Sequence, residues 1–149
     1  MRSPAIQGRH DREEPYVLDE QVGFALRQAQ QRHTPIFATK MIEDLTPTQW
    51  AALAKLRELG DCSQNHLGRL TAMDAATIKG VVDRLTARGF TTVRPDPHDG
   101  RRILVALTPT GFNLYDRAAP IASLITEITL EPLGEDERST LVALLRRLS

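Results

Sequence analysis

"CSQNHLGRLTAMDAATIKGVVDRLTARGF", residues 62–90, holds two short amphipathic runs joined by three residues. Ser63 is a hydroxyl suited to cap a helix, and the run it opens extends to Leu70. Thr71, Ala72 and Met73 form the link. Asp74 caps a second helix that reaches about Arg88, and Gly89 supplies the left-handed residue that stops it. Ile78, Val81, Val82 and Leu85 recur at helical spacing and make one apolar stripe. Two short helices joined by so short a turn are a helix-turn-helix.

The flanking sequence extends this reading in both directions. Downstream, "TTVRP" reads as a strand, "DPHDG" as a turn and "RRILVALT" as a second strand, with Ile103, Val105 and Leu107 on one face. A charged hairpin directly after a helix-turn-helix is the layout of a winged helix. Upstream, in "LTPTQWAALAKLRELG", Thr46 and Gln49 form a capping box and Pro47 takes the first helical position. Leu53, Leu56 and Leu59 give that helix its stripe, and Gly60 its stop.

Longer helices flank this module. The first is expected from Asp19 to about Asp44, with Val22, Ala25, Leu26, Ala29, His33, Ile36 and Phe37 on one face and a kink at Pro35. After the hairpin, Thr108 and Pro109 open a long helix carrying Phe112, Tyr115, Ala119, Ala122, Ile125 and Ile128, bent at Pro120. The last helix starts near Gly134. Its acidic first turn (Glu135, Asp136, Glu137) and basic last turn (Arg146, Arg147) both complement the helix dipole. Leu141, Leu144, Leu145 and Leu148 line its apolar side.

The expected class is therefore mainly α with a small β-hairpin wing (α+β). Residues 1–15 mix charge, Pro and Gly without a period and are expected to form a flexible N-terminal arm. Residues 46–108 are expected to form a winged helix-turn-helix, an architecture suited to a DNA-binding domain. Residues 16–45 and 109–149 supply dimerisation helices, because they carry more apolar surface than so small a core can cover.

Charge distribution sharpens the functional reading. The 149-residue chain has 19 basic and 19 acidic residues, so bulk charge does not drive it onto nucleic acid or membrane. Residues 68–102, however, hold seven Lys/Arg against four Asp/Glu. The single cysteine, Cys62, excludes an intramolecular disulfide and fits a reducing compartment. No membrane span or secretory signal is evident, so a cytoplasmic location is expected. No Gly-rich phosphate loop, nucleophile elbow or metal-ligand spacing appears. Neither an enzyme, a cofactor nor a metal site is expected.

The second helix leaves Ala75, Ala76, Thr77, Lys79, Gly80, Asp83 and Arg84 off its apolar stripe. Small residues at its start permit close approach to a surface. Thr77 offers a hydroxyl and a methyl, and Lys79 and Arg84 offer cations that hold phosphates. Ser63, Gln64 and Asn65, at the polar start of the preceding helix, join the candidate DNA contacts. Alone, this pattern equally fits a solvated helix face. At the hairpin, Asp99 and Arg101 bracket Gly100. The carboxylate is expected to tie the loop and aim a guanidinium, so that Arg101 or Arg102 enters a minor groove. His98 is placed near a phosphate.

Asp99-x-Arg101, five residues, then Leu107-Thr108 with Pro and Gly soon after, resembles the wing signature of the MarR family of bacterial winged-helix transcription regulators. "AATIKGVVDRLTARGF" is similar to that family's recognition helix. The resemblance runs from about Asp19 to the end. It implies a homodimer built from the first and last two helices, a pseudo-palindromic double-stranded operator, and repression relieved by a small molecule. The stretch "RQAQQRHTPIFATKMIEDLTPTQWAAL" resembles a subgroup that controls breakdown of aromatic and pyridine acids, the nicotinic acid catabolism repressors, which respond to 6-hydroxynicotinate. That implies a small aromatic or pyridine carboxylic acid held in a crevice. Phe24, Phe37 and Trp50 are its expected walls, and His33 and Arg27 its expected carboxylate partners. A core role for His33 and Trp50, and a solvated one for Arg27, remain equally compatible with the residues.

Two other readings stand beside this one. Cys62 precedes a helix start, which can lower a thiol pKa and would suit a redox-responsive regulator. A winged helix used only for protein contacts is the other, and it predicts no salt-dependent DNA affinity.

Overall fold

The computed structural model describes residues 14–149, so all but the last two residues of the expected N-terminal arm lie outside the described residues. A 3-10 turn, Leu18–Glu20, precedes α1 (Val22–Lys40). Then come α2 (Pro47–Leu59), the two-residue strand β1 (Cys62–Ser63), α3 (Gln64–Leu70) and α4 (Ala75–Ala87). Strands β2 (Thr91–Pro95) and β3 (Ile103–Leu107) are followed by α5 (Pro109–Thr129) and α6 (Glu135–Arg146).

The caps form as their residue types dictate. Thr46 Oγ1 accepts from the Gln49 N–H while Gln49 Oε1 accepts from the Thr46 N–H, both at 3.2 Å. Ser63 Oγ accepts from the His66 N–H at 3.2 Å, and Asp74 Oδ1 from the Thr77 N–H at 2.7 Å. Gly89, at φ 82°, ends the recognition region as only a residue without a Cβ does cheaply. Both helix prolines, Pro35 and Pro120, lie inside continuous helices.

Two departures from the sequence reading have local causes. The first helix is shorter at both ends. Gln21 is extended (φ −90°, ψ 135°), which separates the 3-10 turn from α1. At the other end Glu43 and Asp44 both adopt positive φ, which no helix accommodates. The second departure is a third strand. Cys62 pairs with Val105 and Ser63 with Leu104, so the sheet order is β1-β3-β2 with both pairings antiparallel. A two-residue strand carries no period from which to read it.

The core sits where α2, α4 and the sheet meet, and it includes Leu53, Leu56, Leu67, Ile78, Val82, Leu85 and Val105, all essentially solvent-free. It extends through Phe37 and Met41 to Leu114, Ala118 and Ile125, which seats α1 and α5 on the same module. Gly68 lets α3 and α4 touch, since a Cβ there would press on Ile78 and the Met73 carbonyl. At the wing base, the Phe90 carbonyl occupies the space a side chain at position 111 would need, so the first turn of α5 carries a glycine there. The Arg88 guanidinium donates to the Glu43 carbonyl at 2.6 Å, tying the α1–α2 connection to the end of α4.

Candidate nucleic-acid interface and effector cleft

Helix α4 buries Ile78, Val81, Val82 and Leu85 and turns its other side outward. Ala75, Ala76, Thr77, Lys79 and Arg84 are exposed there, and Gly80 is half-buried. Ser63 and Gln64 are half-buried and Asn65 exposed. These three join His66 and Arg69 of α3 and Asp96, Arg101 and Arg102 of the wing around a polar cleft of about 460 Å³. The structure thus brings the start of α3 and the wing together. Arg69 is a cation of this cleft that the sequence reading passed over. It lies one turn and a half beyond the cap, and only the fold shows that it faces the wing.

Asp99 ties the wing loop as expected, and the guanidinium it meets is that of Arg102. Asp99 Oδ1 accepts from the backbone N–H of Arg101 at 3.1 Å, so it fixes the loop and not the Arg101 guanidinium. Its other oxygen lies 3.6 Å from Arg102 Nε. The spacing explains this: a carboxylate reaches the N–H two residues on within a turn, while a guanidinium three residues on folds back over it. His98 is exposed and gives its N–H to Asp96 Oδ1 at 2.9 Å. At the sheet edge Arg94 pairs with Asp61 at 3.1 Å.

Cys62 departs from the activated thiol that a helix start would favour. Its pKa is raised, first by burial and then by the Asp61 carboxylate. A thiol held protonated is a poor nucleophile toward oxidants.

A second cleft, of about 350 Å³, opens between α1, α2 and α5. His33, Phe37, Trp50, Tyr115, Ala119, Ala122, Ser123, Ile125 and Thr126 line it. His33 Nδ1 is 2.9 Å from Thr129 Oγ1, so Nε2 is the ring nitrogen left to meet a ligand. Trp50 stacks on Tyr115 with ring centroids 5.4 Å apart and 10° between planes. Arg57 lies over the Tyr115 ring at 5.7 Å. The end of α5 is held against α1 by Arg32, whose guanidinium donates to the carbonyls of Ile128 and Thr129 at 2.8 and 3.0 Å.

Of the five candidate effector residues, the structure gathers His33, Phe37 and Trp50. Phe24 and Arg27 lie outside the cleft. Phe24 is nine residues from His33, about two and a half turns, which places it on the opposite side of α1. Arg27 lines a separate shallow groove with Gln30, Gln31, Thr34 and Pro35. The missed residues all come from α5. Tyr115, Ala119, Ala122 and Thr126 recur at helical spacing, and that stripe reads as plain core. The signal was its small members: alanines beside Trp50 and Tyr115 leave space that larger residues would fill.

Comparison with known proteins settles the family. The pattern described as the MarR family matches residues 43–102, from the α1–α2 connection to the wing. The HTH-type transcriptional repressor NicR of Pseudomonas putida is 43% identical over 135 residues, covering 90% of this chain and 85% of that protein. The chain belongs to the MarR family. Among solved structures, this MarR-family chain is similar to a probable transcriptional regulator from Pseudomonas aeruginosa. That match has 53% identity and a TM-score of 0.86, over 89% of this chain and all of that one (100%). It is also similar to BpsR of Bordetella bronchiseptica, with 43% identity, a TM-score of 0.86, and 90% and 96% of the two chains covered. The BpsR structure is described as giving the mechanism by which 6-hydroxynicotinic acid regulates DNA binding. The winged-helix reading of the sequence stands, wing and flanking helices included.

Proposed function

We propose that this chain is a homodimeric transcriptional repressor that binds a pseudo-palindromic operator and is released by a small aromatic acid. Its family relatives are regulators and not enzymes. No helix among the described residues is long and apolar enough to cross a membrane, which suits a protein working on DNA in the cytoplasm. Residues 46–108 act as the DNA-binding domain, and the segments 16–45 and 109–149 as the dimerisation helices.

The DNA role rests on α4 and the wing. The small, exposed start of α4 lets that helix sit deep in a major groove, with Thr77 at a base edge and Arg84 at a phosphate. Ser63, Gln64 and Asn65 add contacts from α3. Arg101 serves the minor groove beside it, Arg102 and His98 its phosphates, and the Asp99 tie fixes the loop.

The effector role rests on one observation: an aromatic-walled cleft lies where α1 and α5 meet α2, and α2 packs directly on α4. A site at that junction touches both the dimerising and the DNA-reading parts. Its volume is at the lower end of the ~300–1,000 Å³ of ordinary ligand pockets, which suits a single ring. Trp50, Tyr115 and Phe37 offer ring contacts, and His33, Ser123 and Thr126 offer polar anchors. The similarity to NicR and BpsR makes 6-hydroxynicotinic acid the first effector to try. An occupant favouring one spacing of the two recognition helices shifts DNA affinity by its differential binding. Couplings of ~1–3 kcal/mol correspond to about 5- to 150-fold.

A mobility-shift titration on the promoter beside its own gene, with and without 6-hydroxynicotinic acid, tests this. Wild type is expected to release the fragment as the acid is added. Trp50→Ala is expected to hold the fragment at every concentration of acid. Release that is equal in both proteins removes the cleft from the mechanism.

A further inference from the structure

Four of the long cations on α4 and the wing are expected DNA contacts, and the structure divides them. Lys79 Nζ lies 2.7 Å from Asp83 Oδ2, and Arg102 Nε 3.6 Å from Asp99 Oδ2. Arg84 and Arg101 make no salt bridge among the described residues. Asp99 has a separate duty in tying the wing loop. Asp83 has none: Lys79 is the one side chain it bonds among the described residues, and its own side chain is 60% exposed.

The position of Asp83 matters as much as its partner. Ile78, Val81, Val82 and Leu85 mark the inward side of α4. Ala76, Gly80 and Asp83 follow one another at helical spacing on the opposite side, the side that meets DNA. A carboxylate there is repelled by phosphates. An exposed pair one turn apart adds little to helix stability, so folding does not explain its placement.

We propose that Asp83 is a specificity-determining residue: its carboxylate neutralises Lys79 on non-operator DNA and releases it only at the operator. This rests on the DNA-binding role proposed above. Non-specific affinity follows the number of phosphates whose counterions the protein displaces. A lysine already paired displaces none on balance, so Arg84 and Arg101 carry that attraction. At a matched site, Ala76 and Gly80 admit the helix closely. A base amino group such as cytosine N4 then engages Asp83, and Lys79 turns to a phosphate. At a mismatched site no such donor is offered, and the pair stays closed.

Salt-dependent titrations of the full chain against its promoter fragment and a scrambled duplex of equal length test the assignment. Asp83→Asn is expected to bind the scrambled duplex about three- to tenfold more tightly. Its plot of log affinity against log salt should steepen by about one per protomer. The promoter-to-scrambled ratio should fall. Asp83→Glu, which still reaches Lys79, should keep the wild-type ratio. Adding Lys79→Ala to Asp83→Asn removes the pair whole and should return scrambled-duplex binding to the wild-type level. Arg84→Ala and Arg101→Ala should weaken scrambled-duplex binding in either background. An unchanged ratio and slope in Asp83→Asn overturn the assignment while leaving the regulator reading intact. So does a double variant, Asp83→Asn with Lys79→Ala, that keeps the whole gain of Asp83→Asn. If neither duplex binds wild type or any variant at low salt, the regulator reading fails and the assignment falls with it.

Discussion

Helices α4 and α6 are nearly equal in length, 13 and 12 residues, and both carry an apolar stripe at helical spacing. Their surroundings differ completely. α4 buries four residues against α2, α3 and the sheet. α6 buries none and, among the described residues, packs substantially on no other element. Leu144 is 50% and Leu148 71% exposed, and the N-terminal segment leaves Tyr16, Leu18 and Val22 open as well. The winged helix closes its core within the chain, together with Phe37 and Met41 at the end of the first helix and Leu114, Ala118 and Ile125 of α5. The stripes of α6 and of the N-terminal segment have no such partner and require a second surface.

The largest effect that would break this contrast lies in α4. Leu85 is fully buried, so Leu85→Ala removes contacts that nothing in the chain replaces. A loss of about 2–5 kcal/mol is expected for such a truncation. Chemical denaturation should report it, and the loss should be the same at high and low protein concentration. The matching change in α6, Leu144→Asp with Leu145→Asp, should act through association. A tenfold weaker dimer is about 1.4 kcal/mol, and sedimentation across a dilution series reads it directly. Operator affinity should fall as the dimer does, while a single chain keeps its winged fold. A concentration-independent loss of fold in the α6 variant would show that α6 serves its own chain after all.

Legibility in the sequence follows the same division. The caps at Thr46, Ser63, Asp74 and Thr108 and the stripe of α4 were readable because each is a local pattern satisfied by neighbours within a turn. The wing was readable because strand alternation and turn chemistry are local too. What sequence could not give was which elements face each other. β1 exists only by pairing with β3. Asp99 was expected to tie the loop and aim Arg101 or Arg102, and only the fold shows that it holds the backbone of the first and pairs with the second. The cleft proposed for the effector was half legible. His33, Phe37 and Trp50 stood out by chemistry, whereas its α5 wall is defined by alanines whose smallness has meaning only opposite Trp50.

The smallest expected effect tests whether α4, so well buried by its own chain, also depends on a single cap. Asp74 has its pKa lowered, first by the Thr77 backbone N–H and next by the Thr77 side chain, both of which favour the charged carboxylate. The folded value therefore lies below the unfolded one. The cap's charge-dependent contribution is complete above the unfolded value and is lost as pH falls through the folded one. Asp74→Asn keeps a capping oxygen but has no charge to lose. Its Tm should sit slightly below wild type at neutral pH, and the gap should close once the medium is more acidic than the usual aspartate range. The side chain is solvent-exposed, so the shift is modest and best followed as a difference between the two proteins across one pH series. A gap that stays constant into acid would mean that hydrogen-bond geometry alone, without the charge, sets the start of the recognition helix.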